Sequence, residues 1–375
     1  MNGTSRPPRL VDDLIPVILD SNGHWWPRDL QRLALVSYAW IGPVRRRLYS
    51  SPNLRSYRAC TLFARTLASN PDLAGLIRAL ELHPAVERLS GYVGISEKEM
   101  ASIRSILSLE GLRKVTLGGD LAVQADRFLQ TLASSASLVE LNIDGSGPTG
   151  NGTAQLNSHR VASLEWDEVM AFKFPRLRHL RLSDVQLTIV PSFMPCPTRL
   201  TSLTLHNVDI VDGVLSDMCH EAWDCLRVLT VTTKSPEAMD EHVRTLLEVC
   251  KNLDTLHFDA CHEAPGVEAL TDVQPPAGIS LRELRISGFD ITPQFLASIG
   301  RVCEGLRDLS VAGRLVRVTP EDWAAFLASG ALPGLQRLAT PAGTCRPPFS
   351  HWSQGMGQQV EAACAARNIA LVSSY

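Results

Sequence analysis

The chain has 375 residues, enough for more than one globular unit or for one extended repeat array. Its 45% hydrophobic and 20% charged content is that of a folded protein, and a formal net charge of -3 argues against a dedicated nucleic-acid binder, which would be clearly basic. Nine cysteines, an odd number with no C-x-x-C pair, fit a reducing compartment better than a disulfide framework. No apolar run approaches the roughly 18 residues of a membrane span, and the polar, Pro-bearing start lacks the pattern of a signal peptide. The composition therefore reads as a cytoplasmic or nuclear protein without a membrane partner.

In chain order, residues 1–9 read as a disordered tail. From there Leu10, Leu14, Ile18 and Leu19 fall on one helical face, and Leu30, Leu33, Ala34, Val36 and Trp40 on another, with a turn-rich stretch between them. Pro16 kinks the first helix unless it falls in its first turn. About 40 residues of short helix bury little apolar area and need a neighbour or partner.

A repeated unit then takes over: an apolar residue, two others, Leu, one other, and a second apolar residue. Weak copies start at Ile77 and Leu112. Clear ones are Leu138-Val-Glu-Leu-Asn-Ile143, Leu177-Arg-His-Leu-Arg-Leu182, Leu200-Thr-Ser-Leu-Thr-Leu205 and Leu226-Arg-Val-Leu-Thr-Val231, followed by copies from Leu253, Leu281 and Leu306. A degenerate copy starts at Leu335. From Leu177 the starts are spaced by 23, 26, 27, 28, 25 and 29 residues. In a short strand the fourth and sixth positions share the inner face, and the third and fifth look out. Val185, Val208, Cys261 and Phe289 extend several copies to a ninth position, where the chain is expected to turn around the core.

Between strands, 237–250 and 293–303 carry apolar residues at spacings of three and four, as amphipathic helices do. Thr319-Pro320 reads as an N-cap followed by Pro at the first helical position. Two intervals are long. That from Ile77 to Leu112 has room for an extra helix near 96–109. That from Leu138 to Leu177 includes a Gly-rich stretch, 144–153, expected to be a mobile surface loop within an irregular insertion, 144–176. At the end, a helix over 358–367 and a strand over 369–372 are expected to cap the array.

The repeat resembles the cysteine-containing leucine-rich repeats of F-box proteins: Cys250 precedes Leu253 by three residues, Cys303 precedes Leu306 likewise, and Cys261 takes the Cys/Asn position after the strand. The start resembles the F-box itself. That family opens Leu-Pro-x-Glu-Leu-Leu-x-x-Ile-Leu, where this chain has Leu10-Val-Asp-Asp-Leu-Ile-Pro-Val-Ile-Leu19. The second half, Asp29-Leu-Gln-Arg-Leu-Ala-Leu-Val-Ser-Tyr-Ala-Trp40, matches better, and Val11 and Pro16 are the departures. The resemblance implies an α/β leucine-rich-repeat solenoid over 56–375, with a parallel sheet on its concave side and helices on its convex side, behind an all-α F-box-like module over 10–55. It also implies contacts from Leu10, Val11, Leu14, Ile18, Leu30, Val36 and Trp40 to a Skp-family adaptor, and through it to a cullin. The competing account is that these residues only cap the first turn of the array.

Catalytic signals are absent. Gly145-x-Gly147-x-x-Gly150 follows an expected strand but lacks the helix that would hold a phosphate, because Pro148, Asn151 and Gly152 oppose one. Cys250, His257, Cys261 and His262 are metal-ligand types, yet the register sends His257 outward and the cysteines inward, so no tetrahedral site forms. No enzyme, metal or cofactor is expected. The outward row is what remains: His179, Arg181, Ser202, Thr204, Thr255, His257, Glu283, Arg285, Asp308 and Ser310, with Arg178, Arg227, Arg282 and Arg307 at second positions. Such a polar, locally basic face suits a client protein with an acidic or phosphorylated segment, and equally suits simple solubility. The expected function is substrate recognition in a Skp–cullin–F-box ubiquitin ligase, the client being unreadable. The alternative is a leucine-rich-repeat scaffold or inhibitor with no ligase link. An enzyme with its site on the 144–176 insertion has no positive support.

Overall fold

The computed structural model describes residues 13–21, 25–85, 95–147, 161–219, 222–270, 281–346 and 348–373. The chain is mixed α/β and divides into two compact units, Met1–Thr116 with Thr131–Ser134, and Leu117–Gln130 with Ser135–Tyr375.

The first unit opens with helices α1 (Leu14–Ser21), α2 (Pro27–Ala34) and α3 (Tyr38–Ser50). Pro16 is third in α1, inside the first turn, where its missing N–H has no intrahelical partner to lose. Pro43, by contrast, lies inside α3 and deletes one backbone bond there. Ile15, Leu19, Leu30 and Val44 form a small core, with Trp25, Leu33, Ala34, Ala39, Trp40 and Leu48 packed against it. The Trp25 indole N–H donates to the Leu19 carbonyl at 3.0 Å and ties the approach to α2 onto the end of α1. Strand β1 (Asn53–Ser56), helix α4 (Tyr57–Ser69), strand β2 (Ala79–Ala85), helix α5 (Glu97–Leu107) and strand β3 (Lys114–Gly118) follow, with β1 and β2 parallel. Helix α5 fills the long interval before Leu112. It starts at a capping box in which Ser96 and Glu99 satisfy each other's backbone N–H.

In the second unit come α6 (Ala125–Gln130), β4 (Glu140–Asp144), β5 (Ala162–Trp166), α7 (Glu168–Lys173), β6 (His179–Ser183), β7 (Val185–Ile189), β8 (Ser202–His206), β9 (Asp209–Asp212) and β10 (Val228–Thr233). Then follow α8 (Pro236–Val249), β11 (Thr255–Ala260), β12 (Glu283–Ser287), α9 (Pro293–Val302), β13 (Asp308–Ala312), α10 (Pro320–Ala328), β14 (Arg337–Thr340), β15 (Gly343–Cys345), β16 (Phe349–His351), α11 (Gln354–Ala366) and β17 (Ala370–Ser373). Thr292, Thr319 and Ser353 cap α9, α10 and α11 through their side-chain oxygens, and Thr319 with Asp322 completes a capping box.

Strands β4, β6, β8, β10, β11, β12, β13, β14 and β17 form one parallel sheet in that order. Its register joins equivalent residues: Leu141 opposes Leu180, which opposes Leu203, and the column continues through Leu229, Leu256, Leu284 and Leu309 to Leu338. These leucines are at most 1% exposed, and Ile143, Leu182, Leu205, Val231, Phe258, Ile286 and Val311 make a second buried column two residues on. Burying one such side chain stabilises by about 1.5–3 kcal/mol. A one-residue slip would turn both columns to solvent, so the register is fixed.

At five copies the eighth position follows the strand with a change of handedness, whereas Thr233 and Ala260, eighth in the copies from Leu226 and Leu253, stay within β10 and β11. Asp184, Asn207, Gly288, Gly313 and Ala342 all have positive φ there. Gly145, the equivalent residue of the copy from Leu138, approaches so closely that a Cβ would meet the Asp184 carbonyl oxygen at 2.1 Å. That contact explains the first glycine of the 145–150 motif; Gly150 lies outside the described residues.

Beyond Asp184 and Asn207 the chain does not simply turn. Val185 and Leu187 belong to β7, and β5, β7 and β9 make a second parallel sheet. Leu164 opposes Leu187, and Trp166 opposes Ile189 and donates its indole N–H to the Met218 carbonyl at 2.8 Å. The expected irregular insertion thus contains a strand and a helix, β5 and α7.

Candidate binding face

The third and fifth positions of the main sheet look outward, because side chains alternate along each strand. His179 and Arg181 on β6 are exposed, and Arg181 makes no ion pair among the described residues. Ser202 and Thr204 on β8, Thr230 on β10 and Thr255 on β11 continue the face as half-buried hydroxyls. Thr204 opposes Thr230, which opposes His257.

Further along, charges pair within the sheet. His257 Nε2 is 2.9 Å from Glu283 Oε1, Arg285 Nε is 3.3 Å from Asp259 Oδ1, and Arg337 Nε is 2.9 Å from Asp308 Oδ1. The Arg285–Asp259 contact is ionic without hydrogen-bond alignment, since Asp259 Oδ1 has no hydrogen-bond partner. Burial pushes the Asp259 carboxyl above the usual range, and Arg285 and His257 oppose that rise. Ser310 on β13 is half-buried. The second-position arginines serve the scaffold: Arg178 donates to the Arg199 carbonyl and Arg227 to the Asn252 carbonyl, each at 2.9 Å, while Arg282 is 3.9 Å from Asp254. The face is therefore charge-compensated from β11 onward, and its uncompensated cation is at β6.

At the strand ends, Lys234 Nζ is 3.5 Å from Asp184 Oδ1, which accepts Asn207 Nδ2–H at 3.1 Å, and Asn207 Oδ1 accepts the Cys261 thiol. Cys261 is half-buried and faces this polar ladder, whereas Cys250 is fully buried and His257 is held by Glu283. Among the described residues no group of three or more His, Cys, Asp or Glu could hold a metal ion. Burial pushes the thiols of Cys250 and Cys303 up to about 12 and that of Cys60 up to about 11, so they stay protonated and unreactive.

In the first unit, the residues expected to meet an adaptor part company. Leu14 and Val36 are exposed, at 47% and 66%, while Ile18 and Trp40 are half-buried and Trp40 packs on the bundle core. Leu30 is part of that core. Leu10 and Val11 lie outside the described residues. Val17, Trp26, Leu35 and Tyr38 are exposed apolar side chains that the sequence reading did not single out.

No described helix is long and apolar enough to cross a membrane. Compared with known proteins, the chain matches no family model, and no curated protein matches it.

Proposed function

We propose that the chain is a leucine-rich-repeat protein with an F-box-like start, acting as the substrate-recognition subunit of a Skp–cullin–F-box ubiquitin ligase. The observation that carries the reading is the economy of the α1–α3 bundle. It keeps Ile15, Leu19, Leu30 and Val44 inside and leaves Leu14, Val17, Trp26, Leu35, Val36 and Tyr38 to solvent. An apolar surface of that extent on so small a bundle suits a protein partner. The register of the main sheet, with a Leu at the fourth position of each copy from Leu138 to Leu335, supports the repeat assignment. The client is then met by the outward face, with Arg181 as its free cation and the hydroxyls of Ser202, Thr204 and Thr230 beside it. The ligase would act in the cytosol or nucleus.

Co-purification of the full chain with a Skp-family adaptor tests the proposal. Wild type is expected to bind, and a Leu14→Asp, Val36→Asp double variant, altered at exposed positions, is expected to stay folded and lose binding. Failure of wild type to bind leaves the second reading, a repeat scaffold without ligase link. The burial of Leu30 and the packing of Trp40 favour that reading, because they spend two motif residues inside the bundle.

A further inference from the structure

Of the large apolar side chains exposed in the second unit, all but Val249 and Val372 fall between Val161 and Val214 among the described residues. They belong to the small sheet β5-β7-β9 and its surroundings, away from the motif positions that define the main sheet. Backbone bonds gather them. The Val190 N–H donates to the Trp166 carbonyl at 3.0 Å, just before α7, and the Thr198 hydroxyl donates to the Ala171 carbonyl at 2.6 Å, within α7. The segment between is pinned along α7 at both ends. That segment carries Phe193, 94% exposed, and Met194, and the helix it is pinned along carries the exposed Val169 and Phe172. On the other side Gly213 packs so tightly on Ile189 that a Cβ would sit 2.1 Å from the Ile189 carbonyl oxygen, which keeps the end of β9, with Val211 and Val214 on either side of it, against β7. Among the described residues β9 pairs with β7 alone, so its outer edge is open.

The same flank is mostly negative, with Lys173 at the end of α7 turned to the Gln130 carbonyl at 2.7 Å. Residues 161–172, 182–198 and 200–226 contain no Lys or Arg. On the outward side of the small sheet, Glu165, Thr188 and Asp212 form one row, and Ser163, Gln186 and Asp209 the next. Asp126 lies against Glu165, whose N–H it accepts at 3.3 Å. An apolar face set among carboxylates repels nucleic acid, anionic lipid and acidic peptides, and an isologous contact with a second copy would oppose like charges.

We infer that this flank is a second docking site, for a basic, apolar segment of a partner protein. Lys or Arg side chains of the segment pair with Glu165, Asp209 and Asp212, and its apolar side chains cover Phe193, Met194 and Phe172. The site is independent of any ligase role, since it involves neither α1–α3 nor the outward face of the main sheet.

The test is fluorescence anisotropy of a labelled 18-residue Leu/Lys amphipathic peptide titrated with the full chain, beside a peptide of the same pattern with Glu for Lys. The Leu/Lys peptide is expected to bind saturably and to weaken with salt, and the Leu/Glu peptide not to bind. Phe193→Ser with Met194→Ser, and separately Asp209→Asn with Asp212→Asn, are each expected to weaken binding at least tenfold, while Val249→Ser on α8 leaves it unchanged. These side chains are solvent-exposed, so unchanged thermal melts check that the variants remain folded. Equal binding by the variants, by the Leu/Glu peptide, or equal loss with Val249→Ser overturns the inference. Two further outcomes reassign the face and also overturn it. One is a dimer in sedimentation that Phe193→Ser with Met194→Ser abolishes; the other is binding to phosphatidylcholine/phosphatidylserine vesicles that the same variant abolishes.

Discussion

The Asp240 carboxylate on α8 accepts the backbone N–H of Leu270 at 2.7 Å, across 30 residues of chain. Both residues are buried, and Leu270 has a φ of 53°, a left-handed conformation that a branched side chain adopts at a cost. Arg244, one turn on, is 3.2 Å from the other carboxylate oxygen. Removing the acceptor leaves a buried N–H unpaired. Asp240→Ala is expected to cost about 1–3 kcal/mol in urea unfolding, and Asp240→Asn, which keeps an acceptor oxygen, clearly less. Equal losses would show that charge, not the hydrogen bond, holds the turn.

The same carboxyl makes stability depend on pH. Burial pushes Asp240 up from 3.8, against the Leu270 hydrogen bond and Arg244, and Asp126 and Asp259 are pushed up for the same first reason. A raised folded-state pKa means that the folded chain holds its proton longer than the unfolded chain. The stability this contributes is full below 3.8 and is lost as pH rises through the raised value. Unfolding free energies of wild type and Asp240→Asn should therefore diverge across that acidic window, wild type losing more as pH rises. Parallel curves would refute the assignment.

On the main sheet face, two exposed arginines should respond differently to reversal. Arg285→Glu places a carboxylate beside Asp259 and is expected to destabilise by about 1 kcal/mol. Arg181→Glu breaks no ion pair and should leave stability within about 0.5 kcal/mol, while weakening capture of an acidic client. Chemical melts of the two variants, run with a binding assay, separate scaffold from contact.

Depth in the sheet should set mutational cost. Leu256→Ala, at a position with no exposure in the middle of the leucine column, is expected to cost about 2–5 kcal/mol. Its neighbour Thr255→Ala, on the outward side, should stay within about 0.5 kcal/mol. Comparable values from denaturant titration would contradict the inward–outward alternation.

The three-helix bundle offers a parallel contrast. Trp40→Ala strips a side chain that packs on Ile15, Leu19, Leu30 and Val44 and should lower the melting temperature of the first unit. Tyr38→Ala, at 90% exposure, should not. A destabilised Tyr38 variant would mean that this side chain is covered in solution.

Much of the main sheet was legible from Leu138 to Leu338, because a period-two pattern repeated at near-constant spacing leaves one register that buries every Leu. The second sheet was not. Two of its strands, β7 and β9, follow main ones after only one or two residues, beginning with Asp184 or Asn207, whose left-handed backbone is invisible to hydrophobic patterning. The available signal was the restart of alternation at Val185-x-Leu187, and the alternation of buried and exposed residues over 162–166. The ion pairs of the outward face were hidden for another reason. His257 directly opposes Arg285 but pairs with Glu283, two residues away on the next strand, so register alone names the wrong partner. Which apolar faces of α1–α3 turn inward depends on how the helices pack, and Leu30 and Trp40 show that the motif could not say.

The in-register ladder also has a mechanical meaning. Each inner strand of the main sheet is bonded to just two others, and successive copies from Leu177 to Leu335 are separated by 23 to 29 residues. Under tension applied from the β17 end, load falls on one ladder at a time rather than on the whole sheet. The structure would yield as a zipper does, each tooth releasing roughly 90 Å of slack before the next is engaged.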